Sequence, residues 1–146
     1  MNNINIYYRI SDKGNPKAKL DNANKFLCLQ NAINVFGRNS IFVVADNCSE
    51  ETILYIKKNN LTYAETSLGN SASFIYTLDL IISKHNSDEY VYLLEDDYLH
   101  RNGSKQVLLE GLEIADYVTL YDNPDKYKFG KLANNPFNSK RIQKAK

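Results

Sequence analysis

Long apolar runs are missing from this chain of 146 residues, and none approaches the ~20 consecutive positions a membrane-spanning helix needs. The opening MNNINIYYRIS has no basic segment leading into an apolar one, so no secretory signal is expected and the cytoplasm is the expected location. Cysteine is scarce. Cys28 and Cys48 lack metal-ligand spacing and are read as reduced thiols, Cys28 packed within a helix. The only two histidines are His85, read as a helix-end residue, and His100, read as a surface residue three positions past Asp97. Neither a Gly-x-x-x-x-Gly-Lys phosphate loop nor a Gly-x-Gly-x-x-Gly dinucleotide turn occurs. The first strand ends in Arg9 and Ile10 and is followed by Ser11 and Asp12. It therefore offers neither the acid pair of a phospho-accepting receiver nor the Asp-x-Asp of an aspartyl-nucleophile phosphatase.

What is present is ordinary for a globular domain: 43% hydrophobic and 24% charged residues, in a chain long enough for one compact core. The charge is uneven. Residues 126–146 hold seven of the 18 basic residues and none of the 17 acidic ones, leaving 11 basic against 17 acidic residues, a net −6, in residues 1–125. An acidic body with a basic tail argues against a nucleic-acid-binding body. The tail reads as a solvated terminus, with contact to anionic lipid or phosphate as the alternative.

Strands and helices alternate. Residues 4–10 read as a first strand rich in Ile and Tyr, and SDKGNP at 11–16 as a loop. Phe26, Leu29, Ile33 and Phe36 recur at helical spacing within 19–36, and Gly37 is the expected cap. The run IFVVA at 41–45 reads as a strand covered on both faces. Ser49-Glu50-Glu51 opens a helix reaching about Lys58, with a capping serine and two acids suited to the helix dipole. A short strand at 61–65 follows. Gly69-Asn70-Ser71 then opens a helix with Phe74, Leu78, Ile81 and Ile82 on one face. YVYLL at 90–94 is the clearest strand, Gly103-Ser104 starts a helix with Leu108, Leu112 and Ala115 on one side, and 118–121 reads as a fifth strand. This order predicts an α/β domain with a mainly parallel sheet flanked by helices.

Such sheets bind ligands beyond the carboxyl ends of their strands. Asp46 falls there after the second strand, and Glu95, Asp96 and Asp97 fall there after the fourth. Three adjacent carboxylates repel one another and call for positive charge. Hard oxygen ligands suit Mg²⁺ or Mn²⁺, and Mg²⁺ is commonly held by one or two carboxylates together with substrate phosphates. The alternative is a solvated acidic turn capping the next helix.

From Ile4 to about Tyr127 the chain resembles the GT-A class of nucleotide-sugar-dependent glycosyltransferases (family 2-like). The segments that carry the likeness are VVADNCS at 43–49, LGNSAS at 68–73, YLLEDD at 92–97 and YVTLYDNPDKY at 117–127. The resemblance implies a GT-A-like (Rossmann-like) nucleotide-sugar-binding domain over 1–127, with 128–146 a basic C-terminal tail or a truncated acceptor region. It also implies roles. Tyr8 and Arg9 would line the nucleoside pocket, Tyr8 by stacking. Asp46 would accept a hydrogen bond from a uracil-type base or a ribose hydroxyl. Asn70 and Ser73 would contact donor or backbone. YLLEDD matches the Asp-x-Asp segment, so Asp97 would bind Mn²⁺ or Mg²⁺, with Glu95 and Asp96 contacting metal, ribose or sugar. The expected partners are a UDP- or dTDP-type sugar and a glycan acceptor. The family usually continues further and supplies a carboxylate base; here Asp122 and Asp125 are the nearby carboxylates. Apolar surface left by a short C-terminal side would call for a partner chain. Two functions stay open, an active hexosyltransferase-type enzyme and a non-catalytic nucleotide-sugar-binding module.

Overall fold

The computed structural model describes residues 3–13 and 23–121. In chain order they form β1 (Ile4–Ser11), α1 (Lys25–Phe36), β2 (Ile41–Asp46), α2 (Glu50–Lys58), β3 (Thr62–Thr66), α3 (Asn70–Lys84), β4 (Tyr90–Glu95) and α4 (Ser104–Leu112). The strands make one sheet in the order β3-β2-β1-β4, and each adjacent pair is parallel. By contacts the chain divides into Met1–Asn102 and Gly103–Lys146, so the whole sheet and α1–α3 belong to the first unit. The expected boundary between residues 127 and 128 lies outside the described residues.

Each element has a local cause. Asn24 has extended backbone and its side chain accepts from the Leu27 N–H at 2.9 Å, so α1 starts at Lys25 and not at 19. Of the six residues by which the expected helix was longer, 19–22 lie outside the described residues. Gly37, at φ 88°, closes α1 by donating to the Ile33 carbonyl at 3.0 Å. Ser49 caps α2 by accepting from the Thr52 N–H, as its sequence context predicts. The β1 residues Ile4, Ile6, Tyr8 and Ile10 are buried on the face shared with α1 and α2, where Phe36 meets Tyr92 and Phe26 meets Tyr55. The alternate residues Asn5, Tyr7 and Arg9 face α3 and its cap His85. The connections through α1 and α2 run to one side of β1, and the connection through α3 returns to the other side to reach β4. The direction of winding therefore reverses between β1 and β4.

One expectation is overturned. Residues 118–121 form no strand. Their apolar, β-branched composition fits a strand, but composition provides no ladder partner. Instead Val118 packs on α4, where a Cβ added at Gly111 would lie 2.8 Å from its Cγ1, and the Tyr121 N–H turns back to the Thr119 hydroxyl. The buried residues of α3 are not the apolar ones. Ser73 and Thr77 are buried, whereas Phe74, Ile75 and Ile82 are exposed. Small residues let α3 lie close to the sheet, and their hydroxyls are satisfied by the helix's own carbonyls, Thr77 donating to Ser73 and Ser73 to Asn70. Among the described residues no helix is long and apolar enough to cross a membrane.

Candidate functional site

Arg9 and Glu95 are register partners in the parallel β1–β4 pair, so their side chains emerge together on the face covered by α3. Arg9 Nη1 donates to Glu95 Oε1 at 2.8 Å. Its Nη2 reaches the first turn of α3, donating to the Asn70 carbonyl and Asn70 Oδ1, both at 2.8 Å, and to Ser73 Oγ at 3.1 Å. The guanidinium carbon lies 5.4 Å from the centroid of the Phe74 ring. Four of the residues singled out in the sequence, Arg9, Asn70, Ser73 and Glu95, thus converge where the winding reverses. A crevice at that position is the usual ligand site of a doubly wound sheet.

Asp96 lies beside them and accepts from the Ser11 N–H at 3.2 Å, tying the end of β4 to the end of β1. Asp97 is exposed. Among the described residues no three His, Cys, Asp or Glu side chains form a cluster that could hold a metal ion.

Two expected nucleoside contacts are committed elsewhere. The Asp46 carboxylate is buried and accepts four hydrogen bonds. Oδ1 receives the Thr66 hydroxyl at 2.8 Å and the Leu68 N–H at 2.7 Å, while Oδ2 receives the Asn47 amide at 2.9 Å and the Gly69 N–H at 3.0 Å. Burial alone would raise its pKa, but these donors outweigh it and hold the carboxyl below its ordinary value. Asp46 therefore fixes the turn from β3 into α3 and has no strong acceptor position left for a base. Tyr8 is fully buried, so neither ring face is open for stacking. Its hydroxyl is buried and has no hydrogen-bond partner among the described residues. Burial pushes its pKa well up, with the charges of Asp96 and Asp97 adding to the effect.

Asp12 is a further carboxylate at the end of β1. Its carboxylate accepts from the Ser49 N–H at 2.6 Å and the Thr52 hydroxyl at 2.9 Å, and pairs with Lys25. These bonds outweigh burial and hold its pKa well below the carboxylate range. One residue past a strand, in a segment dense in turn formers, an acid is well placed to cap the neighbouring helix; that signal was available. His100 was expected on the surface but is half-buried. Its ring packs on Phe36 at 4.9 Å and meets the Tyr92 hydroxyl at 3.1 Å, while its backbone exchanges two hydrogen bonds with the Asn31 side chain. His85 closes α3, its Nε2 lying 2.7 Å from the Tyr7 hydroxyl.

A cavity of about 210 Å³ opens at the carboxyl ends of β2 and β3, lined by Ala45, Asn47, Cys48, Ile53, Glu65, Thr66 and Ser67. The Cys48 thiol in its wall donates to the Ile10 carbonyl at 3.4 Å, and burial pushes its pKa up to about 12, which favours the protonated thiol. Asp122 and Asp125 lie outside the described residues.

Fold and site together define a doubly wound parallel α/β domain with a charged, hydrogen-bonded cluster at its switch point. No protein-family model, curated protein or solved structure significantly matches the chain.

Proposed function

We propose that this chain is the donor-binding domain of a metal-dependent glycosyltransferase of the GT-A class, taking a sugar from a UDP- or dTDP-type donor to an acceptor hydroxyl. The supporting observation is the convergence of Arg9, Asn70, Ser73 and Glu95 at the switch point, with Asp96 and Asp97 beside them. In this reading Glu95 and Asp97 hold Mn²⁺ or Mg²⁺. When bound, the ion supplies Lewis-acid neutralisation of the charge that develops on the leaving diphosphate. Arg9 and the first turn of α3 orient that diphosphate, and Asp96 holds β4 against β1. The support lies at the diphosphate end of the donor. Asp46 and Tyr8 do not contribute to nucleoside recognition in this version, because one is saturated with hydrogen bonds and the other is core.

Calorimetric titration of UDP with and without Mn²⁺, beside Asp97→Ala, tests the reading. Binding that requires both Mn²⁺ and Asp97 is the expected result. Absence of binding to UDP, GDP and dTDP alike would rule the reading out. Release of nucleoside diphosphate from a panel of nucleotide sugars then separates an enzyme from a non-catalytic binding module.

A further inference from the structure

The Arg9–Glu95 pair is unequal, and the inequality points to a ligand. The guanidinium is held from the α3 side by three acceptors, the Asn70 carbonyl, Asn70 Oδ1 and Ser73 Oγ, and by the Phe74 ring. None of these depends on Glu95. The Arg9 side chain is 12% exposed, whereas that of Glu95 is 56% exposed and reaches Arg9 through Nη1. An ion pair with so exposed a partner contributes little to stability. Arg9 is thus a fixed cation, and Glu95 is its replaceable counter-ion.

We propose that Arg9 is the anchor of a diphosphate-binding site, and that Glu95 occupies the guanidinium only until a diphosphate displaces it. The proposal deepens the donor-site reading above and rests on it. A phosphate presents the oxygen geometry that the guanidinium fork binds best, and departure of Glu95 exposes Nη1 to receive it. The anion would also lie near the start of the 15-residue helix α3, whose cap Gly69 supplies no side-chain acceptor. The acidic run opposes the exchange, since three adjacent carboxylates repel an incoming anion. Neutralising Glu95 removes both the competitor for Arg9 and one of those repelling charges. A divalent cation on Glu95 does the same, so cation and diphosphate bind cooperatively through Arg9.

The test is calorimetric titration of inorganic pyrophosphate into the full chain in EDTA, comparing wild type with Glu95→Gln, Asp97→Asn, Arg9→Gln and Arg9→Lys. Glu95→Gln should tighten pyrophosphate binding by several-fold. Asp97→Asn, which removes a charge from the same run, should tighten it less. Arg9→Gln should weaken binding by about tenfold or more, the size expected for a lost charge-assisted hydrogen bond, in both the wild-type and the Glu95→Gln backgrounds. Arg9→Lys keeps the charge, loses the fork, and serves where Arg9→Gln does not fold; it should lose most of the gain from Glu95→Gln. Equal tightening by Asp97→Asn and Glu95→Gln would overturn the proposal, because the gain would be general charge relief. So would pyrophosphate binding insensitive to Arg9. If pyrophosphate behaves as expected but UDP with Mn²⁺ binds no tighter than pyrophosphate, the anchor stands and the nucleotide-sugar reading fails.

Discussion

At the scale of single residues, Asp46 shows how an acid at a strand end is consumed by structure. Position made it a ligand-edge candidate, and the family resemblance implied that it receives a nucleobase. Geometry gives it four donors, two of them the backbone N–H groups of Leu68 and Gly69 at the entry to α3. Asp46→Asn replaces one acceptor oxygen with an amide that faces donors. Hydrogen bonds to charged groups contribute ~1.5–3 kcal/mol, so the substitution should lower stability by about 2 kcal/mol in urea unfolding. If stability is unchanged while UDP affinity collapses, Asp46 touches ligand after all. Tyr8 carries the same lesson. Its place at the carboxyl half of β1 was readable, but the face it takes was not, because that is fixed by the pairing of Ile6 with Tyr92 and of Tyr8 with Leu94. Arg9 takes the opposite face by the same register and reaches the first turn of α3.

At the scale of elements, the four strands and four helices were legible from periodicity and punctuation. The ends of α1 and α2 at Gly37 and Ser49 were legible to the residue, because capping chemistry is local. The fifth strand was not, since whether 118–121 pair with anything is decided by distant chain. Nor was the buried face of α3. Phe74 and Ile82 look like core, and Ser73 and Thr77 look like surface, but a close helix–sheet approach favours the small side chains. Gly111 gives an element-scale prediction. Gly→Ala inside a helix ordinarily gains about 1 kcal/mol. Here the new Cβ would lie 2.8 Å from Val118 Cγ1 and 3.0 Å from Cγ2, and a β-branched side chain has little freedom to turn away. Gly111→Ala should therefore lower the hydrogen-exchange protection of α4, and Gly111→Ala with Val118→Ala should restore it. Increased protection in the single variant would mean that Val118 moves aside easily.

At the scale of the whole molecule, titratable groups whose pKa values the fold shifts make stability depend on pH, and three of them act in two windows. His100 comes first. Burial of its ring against Phe36 lowers its pKa from the ordinary 6.5, and its Nδ1 is buried with no partner among the described residues. The unfolded chain therefore binds a proton more readily than the folded one as pH falls below about 6.5. The stability associated with a neutral His100 is full above that value and is lost progressively as pH falls towards the folded pKa. Asp12 and Asp46 follow. Both have folded pKa values held below the ordinary 3.8 by their donors, against the opposing effect of burial. Their contribution is present above 3.8 and is lost as pH falls below it. Urea unfolding midpoints across pH 7.5 to 2.5 should accordingly fall in two stages. His100→Gln should flatten the upper stage alone, and Asp12→Asn the lower stage alone. The two substitutions act on separate networks, His100 with Asn31 and Tyr92, and Asp12 with Lys25, Ser49 and Thr52, so their effects should add. A single acid transition that His100→Gln leaves unaltered would show that the folded protein takes up a proton at His100 without penalty. The loop that follows Asp97 would then be anchored by the Asn31–His100 backbone bonds and not by the buried ring.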